Sequence, residues 1–139
     1  MPYPRDTDAI RQILTQTKTI ALVGASPNPA RPANEVMGFL LRRGYRVIPV
    51  NPGQAGKEIL GQPAVARLAD ITEPVDMVDI FREVSAIPGV VDEAIAIGAK
   101  TVWMQLGLAH EDARLKAEAA GLRVVMDRCP AIEIPRLGI

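Results

Sequence analysis

Thr19-Ile20-Ala21-Leu22-Val23-Gly24-Ala25-Ser26 is the stretch whose reading decides the fold. Five uncharged residues, three of them β-branched, run straight into a glycine. Such a run reads as a strand buried on both faces, as the strands of a parallel sheet are. A turn-rich segment follows, Gly24-Ala25-Ser26-Pro27-Asn28-Pro29-Ala30-Arg31-Pro32. The next residues, 34–43, carry Val36, Met37, Leu40 and Leu41 on one stripe, the spacing of an amphipathic helix. Strand, turn and helix in this order open a βαβ unit.

The unit recurs down the chain. Gly44 precedes Tyr45-Arg46-Val47-Ile48-Pro49-Val50, Gly98 precedes Lys100-Thr101-Val102-Trp103-Met104, and Gly121 precedes Leu122-Arg123-Val124-Val125-Met126. Each glycine supplies the left-handed residue that stops a helix before a buried strand. Val75-Asp76-Met77-Val78-Asp79-Ile80-Phe81 is a further strand, and a short, weaker one is expected near 63–66, at the sheet edge where Pro63 is tolerated. A helix over 7–17, with Ile10, Ile13 and Leu14 on one face and Asp6 or Thr7 as its cap, precedes the first strand. The alternation predicts an α/β fold: a doubly wound, Rossmann-like parallel sheet in three layers. About six strands in the order 3-2-1-4-5-6 are expected, with the ligand crevice at the switch point between the first and fourth. The expectation is one domain over 1–139, with 1–17 as an N-terminal helical extension.

Composition narrows the function. Sixteen Lys+Arg balance sixteen Asp+Glu, so the broad basic footprint of a nucleic-acid binder is missing. One cysteine and one histidine exclude a disulfide framework and a four-ligand zinc site. No apolar run reaches the ~18 residues of a membrane span, and the Met1-Pro2-Tyr3-Pro4-Arg5-Asp6 start is not a signal peptide. A cytoplasmic protein with no nucleic-acid or membrane partner is expected.

Unusual residues cluster where strands end: Gly24-Ala25-Ser26, Asn51-Pro52, Phe81-Arg82, Gln105-Leu106-Gly107 and Asp127-Arg128-Cys129-Pro130. Each alone reads as a turn or a cap, but in a parallel sheet all five lie along one edge. In the first loop, a helix N-terminus offers N–H groups to an anion, Gly24 lets backbone approach a phosphate, Ser26 adds a hydroxyl and Arg31 a forked cation. Arg82 and Arg128 are further arginines on these loops. The loop lacks G-x-G-x-x-G, and no G-K-[ST] occurs. Where an NAD site places an acid for the ribose, this chain has Asn51-Pro52.

Six segments in order resemble the small bacterial and archaeal CoA-binding proteins. They are Val23-Gly24-Ala25-Ser26 with Arg31-Pro32; Val47 to Pro52; Glu58-Ile59-Leu60-Gly61; Val75 to Arg82; Trp103-Met104-Gln105-Leu106-Gly107; and Val125 to Pro130. That family resembles a freestanding N-terminal domain of the succinyl-CoA synthetase alpha subunit, and the likeness runs from about Ile20 to Leu137. It implies coenzyme A as ligand, with Gly24, Ala25, Ser26 and Arg31 near the adenine nucleotide. Asn51-Pro52 and Phe81-Arg82 match the family's second and fourth strand exits. It places Gln105, Cys129 and Pro130 toward the pantetheine arm. Two residues depart from the family: Ala33 stands where a serine is expected, and His110 where an asparagine caps a helix. The synthetase's phosphohistidine belongs to a second domain, and His110 reads as a cap.

The expectation is therefore a CoA or acyl-CoA binding module without a catalytic or metal-binding residue of its own. A nicotinamide-dependent oxidoreductase, or a regulatory subunit with a vestigial pocket, remain alternatives, and a homo-oligomer or partner subunit stays open. For Cys129 a packing role is expected; the alternative is a thiol near the thiol of CoA.

Overall fold

A computed structural model describes residues 3–139, with side chains described from residue 7 onward. Five parallel strands form the central sheet: β1 (Thr19–Val23), β2 (Arg46–Val50), β5 (Met77–Ile80), β6 (Thr101–Met104) and β7 (Arg123–Val125). Two two-residue strands, β3 (Glu58–Ile59) and β4 (Gln62–Pro63), make a separate antiparallel hairpin. The helices are α1 (Tyr3–Gln16), α2 (Pro32–Arg42), α3 (Ile87–Ala96), α4 (Glu111–Ala119) and α5 (Pro130–Leu137). Sheet order is β2-β1-β5-β6-β7. The chain therefore reverses direction between β1 and β5, as anticipated.

Strand alternation sorts the core into two layers. Ile20, Leu22, Met77 and Trp103 pack on one face with Ile13 and Leu14 of α1, Met37 and Leu40 of α2, and Ile134 of α5. Ala21, Val23, Val78, Ile80, Val102 and Met104 pack on the other with Val91 of α3 and Ala117 of α4. Both faces of the sheet are covered, which is why its strands read as nearly uncharged runs.

Two expectations are corrected. The edge strand near 63–66 does not join the sheet as a ladder. Val65 makes a single parallel bridge to Val50, while Gln62–Pro63 turns back on Glu58–Ile59. Pro63 has no N–H to donate, so it cannot extend a ladder in both directions. The expected strand order thus stands without its outermost member. The first helix begins at Tyr3, so Asp6 and Thr7 fall inside it rather than capping it; Met1 and Pro2 lie outside the described residues.

At the amino-terminal edge of the sheet, Asp76 joins neighbouring strands. Its Oδ2 accepts from the backbone N–H of Lys18 (2.9 Å) and Thr19 (3.0 Å), and its Oδ1 lies 3.5 Å from Lys100 Nζ. Burial alone would raise this carboxyl, but the two N–H donors and the Lys100 ammonium together hold it below its ordinary value. A depressed folded-state value means stability that is present above the unfolded value and lost as pH falls through the folded one. Asp76→Ala is therefore expected to lower the melting temperature at pH 7. In melts across the acid range, the gap to wild type should close below about pH 3–4. A gap that stays constant with pH would show that the carboxylate charge is not what matters there.

Candidate functional site

Over the carboxyl ends of β1, β2, β5 and β6 lies an open cavity of about 1650 Å³. Gly24, Ala25, Ser26, Arg31, Asn51, Pro52, Phe81, Arg82, Gln105 and Cys129 all line it. Pro130 does not; it is the first residue of α5 and is buried, fixing the direction of the helix. Arg128 is also outside the lining. Its backbone carbonyl accepts from Trp103 Nε1 at 2.7 Å, and its N–H reaches Met104 O at 3.4 Å, tying the exits of β6 and β7 together.

The β1 exit is built differently from the expectation in one respect. The N–H groups of Gly24 and Ala25 both point at Val50 O, at 3.0 and 3.4 Å, so neither is free for an anion. Gly24 adopts φ +90°, and a β-carbon there would sit 2.2 Å from the Phe81 carbonyl oxygen. The missing side chain therefore admits the β5 exit, not a phosphate.

Free donors lie further along. Arg31 occupies the N-cap of α2 in extended conformation, Pro32 contributes no N–H, and the Ala33 N–H meets no protein acceptor among the described residues. The positive end of α2 thus faces the cavity with an open donor. Ser26 Oγ accepts from the Asn28 N–H at 3.1 Å and keeps its own proton available. Arg31 is exposed, and among the described residues no carboxylate pairs with it.

Asn51 and Asn34 hold this loop in place. Asn51 Nδ2 donates to Ala25 O at 2.8 Å while its Oδ1 accepts from the Gly53 N–H at 2.8 Å. Both ends of its carboxamide are engaged within the protein, at the position where a nicotinamide site would hold a ribose. Asn34, which sequence reasoning passed over, donates from Nδ2 to Ser26 O at 2.9 Å.

The cation set also differs from the sequence-based one. Arg82 is paired with Glu83 at 3.0 Å, in an exposed ion pair. Arg42 of α2 and Arg67 line the cavity and were not anticipated. Arg67 lies 3.5 Å from Asp70, and Arg42 has no carboxylate partner among the described residues. Arg42 lies at the end of α2, away from any strand exit, so no local signal marks it; Arg67 directly follows the weak strand expected near 63–66, whose exit was not counted with the other five. Around Gln105 the lining changes to Leu106, Cys129 and Ile132. Cys129 is 6% exposed and packs in the core layer of α5. Beneath Gln105 lies Asp79, fully buried, whose carboxyl burial pushes well above the usual carboxylate range. Its signal was present in the sequence as an acid inside an otherwise apolar strand.

His110 is the N-cap of α4, its Nδ1 accepting from the Ala113 N–H at 3.1 Å. Among the described residues, no group of three or more His, Cys, Asp or Glu could hold a metal ion, and no helix is long and apolar enough to cross a membrane.

Residues 18–135 match the family model described as CoA binding domain. The chain belongs to this family. The uncharacterized protein YneT of Bacillus subtilis (strain 168) is 39% identical over 120 residues, covering 86% of this chain and 87% of that protein. A hypothetical protein from Pyrococcus horikoshii OT3 superposes with a TM-score of 0.91 at 44% identity, over 96% of this chain and 92% of its own. The same fold recurs in the apo form of a dinucleotide-forming acetyl-coenzyme A synthetase 1 from Ca. Korarchaeum cryptofilum. There the TM-score is 0.68 at 24% identity, over 77% of this chain and 25% of that one. The CoA-binding family thus uses a five-stranded parallel Rossmann-like sheet here.

Proposed function

We propose that this CoA-binding-family protein binds coenzyme A or an acyl-CoA in the cavity over its strand ends, without a covalent step of its own. The observation that carries the reading is the α2 N-terminus: among the described residues the Ala33 N–H meets no protein acceptor and the Arg31 guanidinium no carboxylate, and both residues line the cavity together with Ser26 and with Glu35 of the same turn. That is the donor set a diphosphate needs. Arg42 and Arg67 extend the positive side, which suits a ligand with a further phosphate on its ribose. The uncharged wall at Leu106, Cys129 and Ile132 suits an arm that carries no charge. A cleft of this volume can take a nucleotide and its arm together. Cys129 is read as a packing residue that also borders the arm.

The test compares two arginines by calorimetric titration with CoA. Arg31 lines the cavity, whereas Arg123 opens β7 at the opposite edge of the sheet. Arg31→Ala removes a charge-assisted phosphate bond and is expected to cost about 1.5–3 kcal/mol, roughly ten- to hundredfold in affinity. Arg123→Ala should leave the curve unchanged. Equal curves for the two variants would remove Arg31 from the site. Native mass spectrometry of the purified protein should also show a CoA-sized adduct.

A further inference from the structure

The segment Glu58-Ile59-Leu60-Gly61 has no part in the phosphate-binding side of the cavity. Ile59 is 1% exposed and anchors β3 in the core layer of α2. Leu60 does the opposite: it is 47% exposed, belongs to neither core layer, and lines the cavity. With Gly61 it forms the two-residue turn between β3 and β4, and both take left-handed φ, +50° and +78°. Such turns favour Asn, Asp or Gly at the first position, because left-handed backbone crowds Cβ and only a short polar side chain hydrogen-bonds locally in return. Leucine here is a local cost that the fold does not recover by burial.

Helix α2 breaks the same kind of rule beside it. Gly38 stands in the interior of α2, where glycine is less favourable than alanine. A β-carbon at Gly38 would lie 3.7 Å from Leu60 Cδ1 and 3.2 Å from Arg42 Nη1. Leu60 and Arg42 therefore sit side by side over the bare backbone of α2, and all three residues line the cavity. Two residues unfavourable to their own elements, in contact on one cavity wall, mark a surface kept for a ligand.

We propose that Leu60 is the platform for the purine base of the ligand, with one face of the ring lying on its side chain beside the Arg42 guanidinium. The inference rests on the CoA reading above. Position selects the base over the other parts of CoA. Gly38 follows Ala33, the open donor, by five residues, roughly 7.5 Å along the helix axis. That matches the reach from a 5′-phosphate across a ribose to its base. The uncharged arm wall at Leu106, Cys129 and Ile132 lies at the far end of the cavity. The hairpin borders β2, which is three strands from β6 in the sheet, roughly 14 Å. A phosphate gains nothing from a leucine, whereas a purine face sheds water against one.

The experiment titrates wild type and Leu60→Asn with CoA, dephospho-CoA and adenosine 3′,5′-bisphosphate, all of which carry the base. Asn-Gly is the preferred pair for this turn, so the variant keeps the hairpin and removes the apolar face. Binding should weaken about five- to tenfold, by the same factor for all three ligands. Leu60→Met keeps an apolar side chain and should stay within about threefold of wild type. The melting temperature of unliganded Leu60→Asn should equal or exceed that of wild type, since a strained residue gives way to one the turn prefers. A leucine serving only the fold would show the reverse. In wild type saturated with CoA, nuclear Overhauser contacts should join the Leu60 methyl protons to the ring protons of the base, a measurement that needs no change in affinity.

Wild-type affinity in Leu60→Asn, a loss that spares dephospho-CoA or the bisphosphate, or a Leu60→Met loss as large as that of Leu60→Asn would each overturn the inference. So would a lower melting temperature in Leu60→Asn, or a saturated complex without contacts between Leu60 and the base. In those cases CoA binding by the wild type would leave the functional reading standing. A wild type that shows no saturable CoA binding would overturn both.

Discussion

Gly24→Ala is expected to lower the melting temperature by on the order of 10–20 °C. Alanine at φ +90° is strained by about 1–2 kcal/mol. The larger part of the effect is steric. The new β-carbon would stand 2.2 Å from Phe81 O and 2.9 Å from Phe81 C, both backbone atoms that no rotamer change can move aside. Phe81 is itself held by the hydrogen bond from its N–H to Val23 O at 2.8 Å. Relief therefore means prising apart the two central strands where they leave the sheet. A total of about 3–5 kcal/mol is expected, in the exceptional tail of single substitutions. At this chain length each kcal/mol moves the melting temperature by ~3–5 °C. Gly121→Ala is the matched control: its φ is +92°, but a β-carbon there meets nothing within 4 Å. It should show the strain alone, a loss of several degrees in the same circular-dichroism melt. Similar losses in both would show that the β1 and β5 exits can separate cheaply.

The second large effect is on ligand preference. CoA at about a hundredfold excess over its Kd should stabilise the folded state by about 2.7 kcal/mol, through binding to that state alone. For a domain of this size that is a rise of roughly 8–13 °C. Dephospho-CoA should give less, and NAD or NADH little. CoA carries a ribose 3′-phosphate that Arg31 or Arg42, neither with a carboxylate partner among the described residues, can meet. Arg67 and Arg82 sit in exposed ion pairs, which are weak enough to exchange a carboxylate for a phosphate. NAD offers a ribose diol instead, and Asn51 has both ends of its carboxamide engaged with Ala25 and Gly53. Added salt should shrink the CoA shift, because part of it is charge pairing at a wet site. A larger shift with NADH than with CoA in matched buffer would overturn the proposed function and leave the fold untouched.

Local patterns carried the fold. The uncharged run at 19–23, the helix-stopping glycines and the spacing of apolar residues each act over a few neighbours, so they are legible one segment at a time. The same holds for His110 as a cap, since capping joins residues three apart. The pairing near 63–66 is not legible locally, because whether two residues or five join an edge depends on the partner strand, not on the segment.

The amino-acid sequence by itself determined the alternation of strand and helix, the switch point between β1 and β5, and which loops share one edge of the sheet. Strand order follows from short right-handed connections, and loop placement follows from strand direction. Only the tertiary structure decided what the individual residues do there. Gly24 meets Phe81, Arg82 pairs with Glu83, Arg42 and Arg67 enter the cavity while Arg128 stays out, and Gln105 rests on Asp79. Each of these depends on distances between segments far apart in the chain. A hydrogen bond or a steric contact is made or lost within about an ångström, and only the packed sheet and helices set separations that finely.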